Sequence, residues 1–83
     1  MKKVSRTKSA RLAEKLLKIR EGLGLSQSEM LERLGFSDEL FRSNVSQYER
    51  GHRIPPLPVL LQYARVAGTT VETLIDDELN LPT

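Results

Sequence analysis

Apolar residues recur at intervals of three and four along much of this chain, which is the spacing of one face of an α-helix. A first helix is predicted from about Ser9 to Glu21, with an apolar face that consists of Leu12, Leu16, Ile19 and Leu23. Gly22 and Gly24 follow, and glycine is the residue type that most often ends a helix.

Ser26 and Glu29 have the spacing of a capping box, in which each side chain accepts a hydrogen bond from the backbone N–H of the other residue. This pattern predicts that a second helix begins at Ser26. Gly35 ends this helix, and its apolar stripe consists of Met30, Leu31 and Leu34.

Three more helices are predicted in the second half of the chain. The third helix has Val45 and Tyr48 on its apolar side and ends at Gly51. The fourth runs from about Leu57 to Ala67, and its predicted buried residues are Leu57, Leu60, Leu61 and Ala64. Thr70 caps a short fifth helix that contains Val71, Leu74 and Ile75. Because no segment alternates apolar and polar residues long enough for a strand, the sequence predicts a compact, all-α domain of five helices.

The composition restricts the classes of function. With 83 residues the chain is long enough for one small domain with a modest core. It contains no cysteine and one histidine, and it lacks a glycine-rich phosphate loop, so we expect neither an enzyme nor a metal or cofactor site. No apolar run approaches membrane-spanning length and no signal-peptide core follows the charged N-terminus, so we expect a cytoplasmic protein without a membrane partner.

The net charge of +2 conceals a strong asymmetry along the chain. Residues 1–20 contain one acidic residue, Glu14, and the basic residues Lys2, Lys3, Arg6, Lys8, Arg11, Lys15, Lys18 and Arg20. Near the C-terminus the charged residues are all acidic, namely Glu72, Asp76, Asp77 and Glu78. We therefore predict a flexible basic arm (residues 1–8), a helical domain (9–76) and a short C-terminal tail (77–83). The arm is either a solvated tail or a segment that attracts phosphate.

The third predicted helix has the properties that base recognition in duplex DNA requires. An α-helix is narrow enough to enter the major groove, where each base pair presents a distinct pattern of donors and acceptors. Val45 and Tyr48 can anchor this helix, and the side chains that face outward are Arg42, Ser43, Asn44 and Gln47. Asparagine and glutamine can pair bidentately with adenine, and arginine with guanine. A solvated polar helix face is the alternative interpretation of the same residues.

From Lys18 to Leu74 the sequence resembles the phage-repressor/Cro-like helix-turn-helix family of DNA-binding regulators. The resemblance rests on Ile19-Arg20-Glu21, Leu25-Ser26-Gln27, Gly35, Val45-Ser46, Tyr48-Glu49, Gly51, Pro55, Leu57, Leu60-Leu61, Ala64, Gly68, Val71 and Leu74. It implies a repressor-like domain over residues 9–76, in which the second and third helices form the helix-turn-helix and bind double-stranded DNA.

The resemblance also implies roles for individual residues. Ser43 and Gln47 match the main base-contacting positions of the family, and Arg42 and Asn44 lie beside them. Arg20 and Glu49 match an ion pair between the first and third helices, although two unpaired surface charges are the alternative.

Phosphate contacts are expected from three places. Gln27 matches the position at which the family binds a phosphate and braces the recognition helix, and the backbone N–H groups that follow Ser26 suit an anion. The residues after the recognition helix are Arg50, His52 and Arg53, and the basic arm contributes Lys2, Lys3, Arg6 and Lys8.

The residues Asp38 to Phe41 stand where the family keeps a tight turn, so they look inserted. In one arrangement the turn is lengthened and Leu40 and Phe41 fold back over the core. The recognition helix then begins near Arg42. In the other, Ser37 caps a helix over residues 38–50. We favour the lengthened turn, because the longer helix places two carboxylates where DNA phosphates would repel them.

The leading hypothesis from the sequence is a sequence-specific, double-stranded-DNA-binding transcriptional regulator that occupies an operator as a homodimer. The predicted dimer surface consists of Val71, Leu74, Ile75, Leu79 and Leu81, unless these residues only close the core of the monomer. The alternative hypothesis is a protein-interaction role, such as an antitoxin that binds a partner protein through residues 76–83.

Overall fold

The computed structural model describes residues 10–82, which form five α-helices and no strand. The helices are α1 (Leu12–Leu23), α2 (Gln27–Leu34), α3 (Arg42–Glu49), α4 (Leu57–Ala67) and α5 (Val71–Ile75). The predicted all-α, five-helix fold is confirmed. The predicted arm, residues 1–8, lies outside the described residues.

Local capping signals account for the start of α2 and the ends of α1 and α2. The Ser26 Oγ accepts a hydrogen bond from the Glu29 backbone N–H at 3.1 Å, and a Glu29 carboxylate oxygen accepts from the Ser26 N–H at 2.8 Å. The predicted capping box is therefore present. Gly24 and Gly35 end α1 and α2 in the left-handed conformation, which glycine adopts without steric cost.

The turn between α2 and α3 is lengthened, in agreement with the favoured arrangement. The backbone N–H groups of Glu39 and Leu40 both donate to the carbonyl oxygen of Phe36, at 3.0 and 2.9 Å, and α3 begins at Arg42. Leu40 is half-buried and packs against the core. Phe41 is 75% exposed, so the expectation that it also folds over the core is wrong. Its backbone is extended (φ −111°, ψ 159°), and successive side chains of an extended segment point to opposite sides.

One apolar core joins all five helices. Its buried residues are Leu12, Leu16, Ile19, Met30, Leu34, Tyr48, Val59, Leu60, Tyr63, Ala64 and Leu74. Leu57 and Leu61 are predicted to be buried and are instead exposed. Leu23, on the predicted apolar face of α1, is also exposed. The error on α4 has a simple cause, because apolar residues surround most of that helix and its inward face cannot be read from their spacing alone.

The predicted dimer surface is largely used inside the monomer. Leu74 is fully buried, and Val71, Ile75 and Leu81 pack against the core. Leu79 lies at the edge and is partly exposed. For these residues the structure supports the alternative that they close the core of the monomer.

The segment after α5 packs against the start of α1 through a set of polar contacts, which we call the terminal clasp (Arg11, Lys15, Asp77 and Asn80). The Asp77 carboxylate accepts hydrogen bonds from the backbone N–H groups of Ala10 and Arg11, both at 3.0 Å. The Arg11 guanidinium donates to the Asp77 carbonyl at 2.8 Å and to the Asn80 side chain at 2.9 Å.

Lys15 is the buried member of the terminal clasp, and its side chain is almost inaccessible to solvent. Its ammonium donates to three backbone carbonyl oxygens, those of Thr73 at 2.7 Å, Asp76 at 2.9 Å and Leu79 at 2.8 Å. All three N–H bonds of the ammonium are thus satisfied, which makes the burial of a charged group tolerable. The predicted tail, residues 77–83, is therefore tied to α1 over its described part.

Candidate nucleic-acid interface

Helices α2 and α3, together with the turn that joins them, lie against the rest of the domain on one side only. Val45 and Tyr48 anchor α3, since Val45 is fully buried and Tyr48 belongs to the apolar core. Met30, Leu31 and Leu34 anchor α2 in the same way. The opposite side of each helix is left to solvent, which is the arrangement that a helix entering a groove needs.

An ion pair fixes the C-terminal end of α3 to α1 and α2. The Arg20 Nε lies 2.7 Å from one carboxylate oxygen of Glu49, and its Nη2 donates to the other oxygen at 3.0 Å. The Gln27 amide donates to that second oxygen at 3.1 Å. The structure thus brings Arg20 and Glu49 together. The hydrogen bond to Glu49 raises the pKa of the Arg20 guanidinium.

The outward side of α3 carries the four residues predicted to read bases. Arg42 and Ser43 are exposed, while Asn44 and Gln47 are half-buried. The Gln47 amide makes no hydrogen bond to any side chain or backbone group within residues 10–82. Polar groups presented in this way are available to a partner.

Asn44 differs from its neighbours because its oxygen already has a partner. The Asn44 Oδ1 accepts a hydrogen bond from the Phe41 N–H at 2.8 Å, and the Asn44 N–H donates to the Phe41 carbonyl, also at 2.8 Å. This contact satisfies a donor at the helix start, where backbone N–H groups lack helical partners. Bidentate pairing with adenine uses both the oxygen and the nitrogen of the amide. Bidentate pairing of Asn44 with adenine would therefore compete with its role at the start of α3.

The residues predicted to contact phosphate lie on two sides of α3. Ser26 and Gln27 stand at the start of α2, where Ser26 is exposed and Gln27 is half-buried. Arg50, His52 and Arg53 follow α3 and are all exposed. The four basic residues of the arm, Lys2, Lys3, Arg6 and Lys8, lie outside the described residues.

Ala10, the first described residue, lies beside the loop that follows α3. Ala10 and Ala13 line one side of a cleft of about 230 Å³, and Gly51, Arg53 and Ile54 line the other side. The chain therefore enters α1 beside the loop that carries the basic residues after α3.

Within residues 10–82 no group of three or more His, Asp or Glu side chains could hold a metal ion. No helix in this range is long and apolar enough to cross a membrane.

The helix-turn-helix domain family matches residues 11–76, which is most of the chain. The chain belongs to this family. Membership agrees with the geometry of α2 and α3 and implies DNA binding. A search of curated proteins and a search of solved structures gave no significant match.

Two features of this helix-turn-helix domain are not predicted from its sequence. The first is the exposure of Phe41 beside α3. The second is the use of Asn44 to hold the start of that helix. A local signal for the second does exist, because Asn44 stands three residues after Phe41, the spacing at which Glu29 reaches back to Ser26.

Proposed function

We propose that this protein is a sequence-specific, double-stranded-DNA-binding transcriptional regulator of the phage-repressor/Cro-like type, which acts in the cytoplasm by occupying an operator. The proposal rests on the way in which α3 is held against the domain. This helix is anchored by Val45, Tyr48 and the Arg20–Glu49 ion pair, while its other side presents hydrogen-bonding groups to solvent. Base reading requires such rigid presentation, because a displaced donor loses its pairing with the base edge.

We assign base reading mainly to Arg42, Ser43 and Gln47. Arg42 and Ser43 lie in the first turn of α3, and recognition helices contact base edges through their N-terminal residues. Gln47 lies one turn further along on the same side as Ser43. Asn44 contributes chiefly by holding the helix start.

We assign phosphate contacts to the residues that flank the recognition helix. Gln27 and Ser26 approach the backbone from the N-terminus of α2, where the helix dipole and unpaired N–H groups favour an anion. The remaining contacts come from Arg50, His52, Arg53, Lys2, Lys3, Arg6 and Lys8. These contacts add affinity for any duplex and make binding sensitive to salt.

Binding as a homodimer would join two half-sites about one helical turn, roughly 34 Å, apart. Since the C-terminal apolar residues serve the core, we place the contact with a second copy at Ile54, Leu57 and Leu61. These side chains are exposed, and Leu57 and Leu61 lie one turn apart on α4. The alternative role, capture of a partner protein by residues 76–83, has less support because the terminal clasp occupies most of that segment.

The two kinds of contact can be separated by substitution. Gln47→Ala should reduce discrimination at one base pair by about 1–3 kcal/mol and leave binding to random duplex nearly unchanged. Replacing Lys2, Lys3, Arg6 and Lys8 with alanine should weaken binding to all duplexes and lower the salt slope by about 0.9 for each phosphate that is no longer neutralised. Both are measured by fluorescence anisotropy at two salt concentrations.

Gln62→Ala serves as a matched control, since it removes the same type of side chain from α4, which carries none of the proposed DNA contacts. An equal loss of affinity on cognate and random DNA for Gln47→Ala would remove Gln47 from the reading set. An unchanged salt slope in the arm variant would mean that the arm does not contact phosphates and is only a solvated tail.

A further inference from the structure

Phe41 is the largest apolar side chain left in solvent next to the recognition helix. It is 75% exposed, and it occupies the position immediately before Arg42, the first residue of α3. Isolated exposed apolar residues are common on protein surfaces, so exposure alone indicates nothing. Phe41 differs from the other exposed apolar residues in two ways: it directly precedes α3, and hydrogen bonds hold its backbone in place.

The backbone of Phe41 is held on both sides. Its N–H donates to the Asn44 Oδ1 and its carbonyl accepts from the Asn44 N–H, both at 2.8 Å. The preceding residue, Leu40, packs against the core, and its N–H donates to the Phe36 carbonyl at 2.9 Å. The ring is therefore presented from a fixed point with only two side-chain torsions left free. A rigid aromatic side chain loses little conformational entropy when it makes a contact.

The chemistry of the major groove offers one apolar group to such a ring. Thymine carries a C5-methyl group at the groove edge, and phenylalanine is among the side chains that contact it. The neighbours of Phe41 on α3, Arg42 and Ser43, are polar and suit the donors and acceptors of adjacent bases. A recognition helix that enters the groove by its N-terminus brings the residue before it to the same base pairs.

We propose that Phe41 is a specificity-determining residue that contacts the C5-methyl group of a thymine at the edge of the site read by α3. The proposal rests on the DNA-binding function proposed above and adds a base preference to it. Asn44 is the positioning residue for this contact, because its side chain holds the Phe41 N–H. The lengthened turn, Asp38 to Phe41, thus adds a reading element to the helix-turn-helix.

The test uses the full chain and duplexes selected by it from random DNA. Each thymine is replaced in turn by uracil, which removes the methyl group and keeps the hydrogen-bonding pattern. At one thymine the unsubstituted protein should bind about three- to tenfold more weakly after the replacement, the effect of about one buried methyl group. Phe41→Ala should weaken binding to the thymine duplex by a similar factor and show no further weakening on the uracil duplex.

Two further variants separate the contact from a structural effect. Leu23→Ala removes another exposed apolar side chain, at the C-terminal end of α1, and should keep the full thymine preference. Asn44→Ala should reduce the preference when Phe41 is present and have no effect on it in the Phe41→Ala background.

The outcomes are distinguishable. Equal thymine preference in Phe41→Ala and the unsubstituted protein, or no uracil effect at any position, overturns the role of Phe41 while DNA binding stands. Failure of the unsubstituted protein to select any duplex overturns the proposed function and this inference with it.

Discussion

Arg20, Gln27 and Glu49 connect three helices through one carboxylate. The Glu49 side chain is only 4% exposed and the Arg20 side chain 18% exposed, so the pair lies largely out of water. The chain also contains an exposed ion pair, Glu14–Lys18 at 3.5 Å, whose side chains are more than half accessible. The two pairs allow the effect of burial to be measured within one protein.

Glu49→Gln should lower the free energy of unfolding by about 2–4 kcal/mol, because it leaves the Arg20 charge in a buried place without a counter-charge. Glu14→Gln should cost less than about 0.5 kcal/mol, as expected for an exposed pair one turn apart. Urea denaturation followed by circular dichroism gives both values. Similar losses of stability in the two variants would mean that the Arg20–Glu49 pair contributes no more than a surface contact.

The helices differ in how far their sequences determine them. The start of α2 is predictable because Ser26 and Glu29 form the capping box without help from the rest of the fold. The start of α3 is ambiguous in the sequence, because a longer helix from Ser37 also satisfies local rules. The packing of Leu40 against the core selects the lengthened turn, and that contact is not visible in the local sequence. On α4 the predicted burial of Leu60 and Ala64 is confirmed, whereas Leu57 and Leu61 are exposed, because apolar residues surround most of that helix.

The capping box of α2 should depend on pH in a defined direction. The hydrogen bond from the Ser26 backbone N–H, followed by that from its hydroxyl, lowers the pKa of Glu29 below the usual 4.5. A carboxyl group whose pKa is lower in the folded than in the unfolded state stabilises the folded state at pH values above the unfolded pKa. This stabilisation is lost as the pH falls through the folded pKa. The start of α2 should therefore loosen only below pH 4.5.

The titration of Glu29 can be followed by NMR of its side-chain carboxyl carbon. The midpoint should lie below 4.5, and Ser26→Ala should move it part of the way back, since that variant keeps the backbone N–H. A midpoint at or above 4.5 would contradict the hydrogen bonds of the capping box.

The two ends of the described chain meet in the terminal clasp. Arg11 is the N-cap of α1 and makes no side-chain capping bond. Its own backbone N–H donates to the carboxylate of Asp77, which lies 66 residues further along the chain. Nothing in the local sequence around Arg11 or Asp77 indicates this contact, which is why the sequence predicts residues 77–83 to be a tail. The residues proposed to read bases are easier to select from the sequence, because they lie in one short segment of α3.

Removing the Asp77 carboxylate should destabilise the whole domain. Asp77→Ala leaves the Ala10 and Arg11 N–H groups without their acceptor and should lower the free energy of unfolding by about 1–2 kcal/mol. Glu78→Ala removes an equal charge from an exposed neighbour and should change it by less than about 0.5 kcal/mol. Thermal denaturation measures both, and equal effects would reduce the clasp to a general charge effect.

For the whole molecule, we propose that α3 reads the sequence of duplex DNA. The most direct measurement is selection of bound sequences from random duplex DNA by the full chain, followed by binding of the selected duplex at two salt concentrations. We predict an enriched, palindromic consensus with half-sites about one helical turn apart. Enrichment of no sequence, with equal affinity for all duplexes at both salt concentrations, would contradict it.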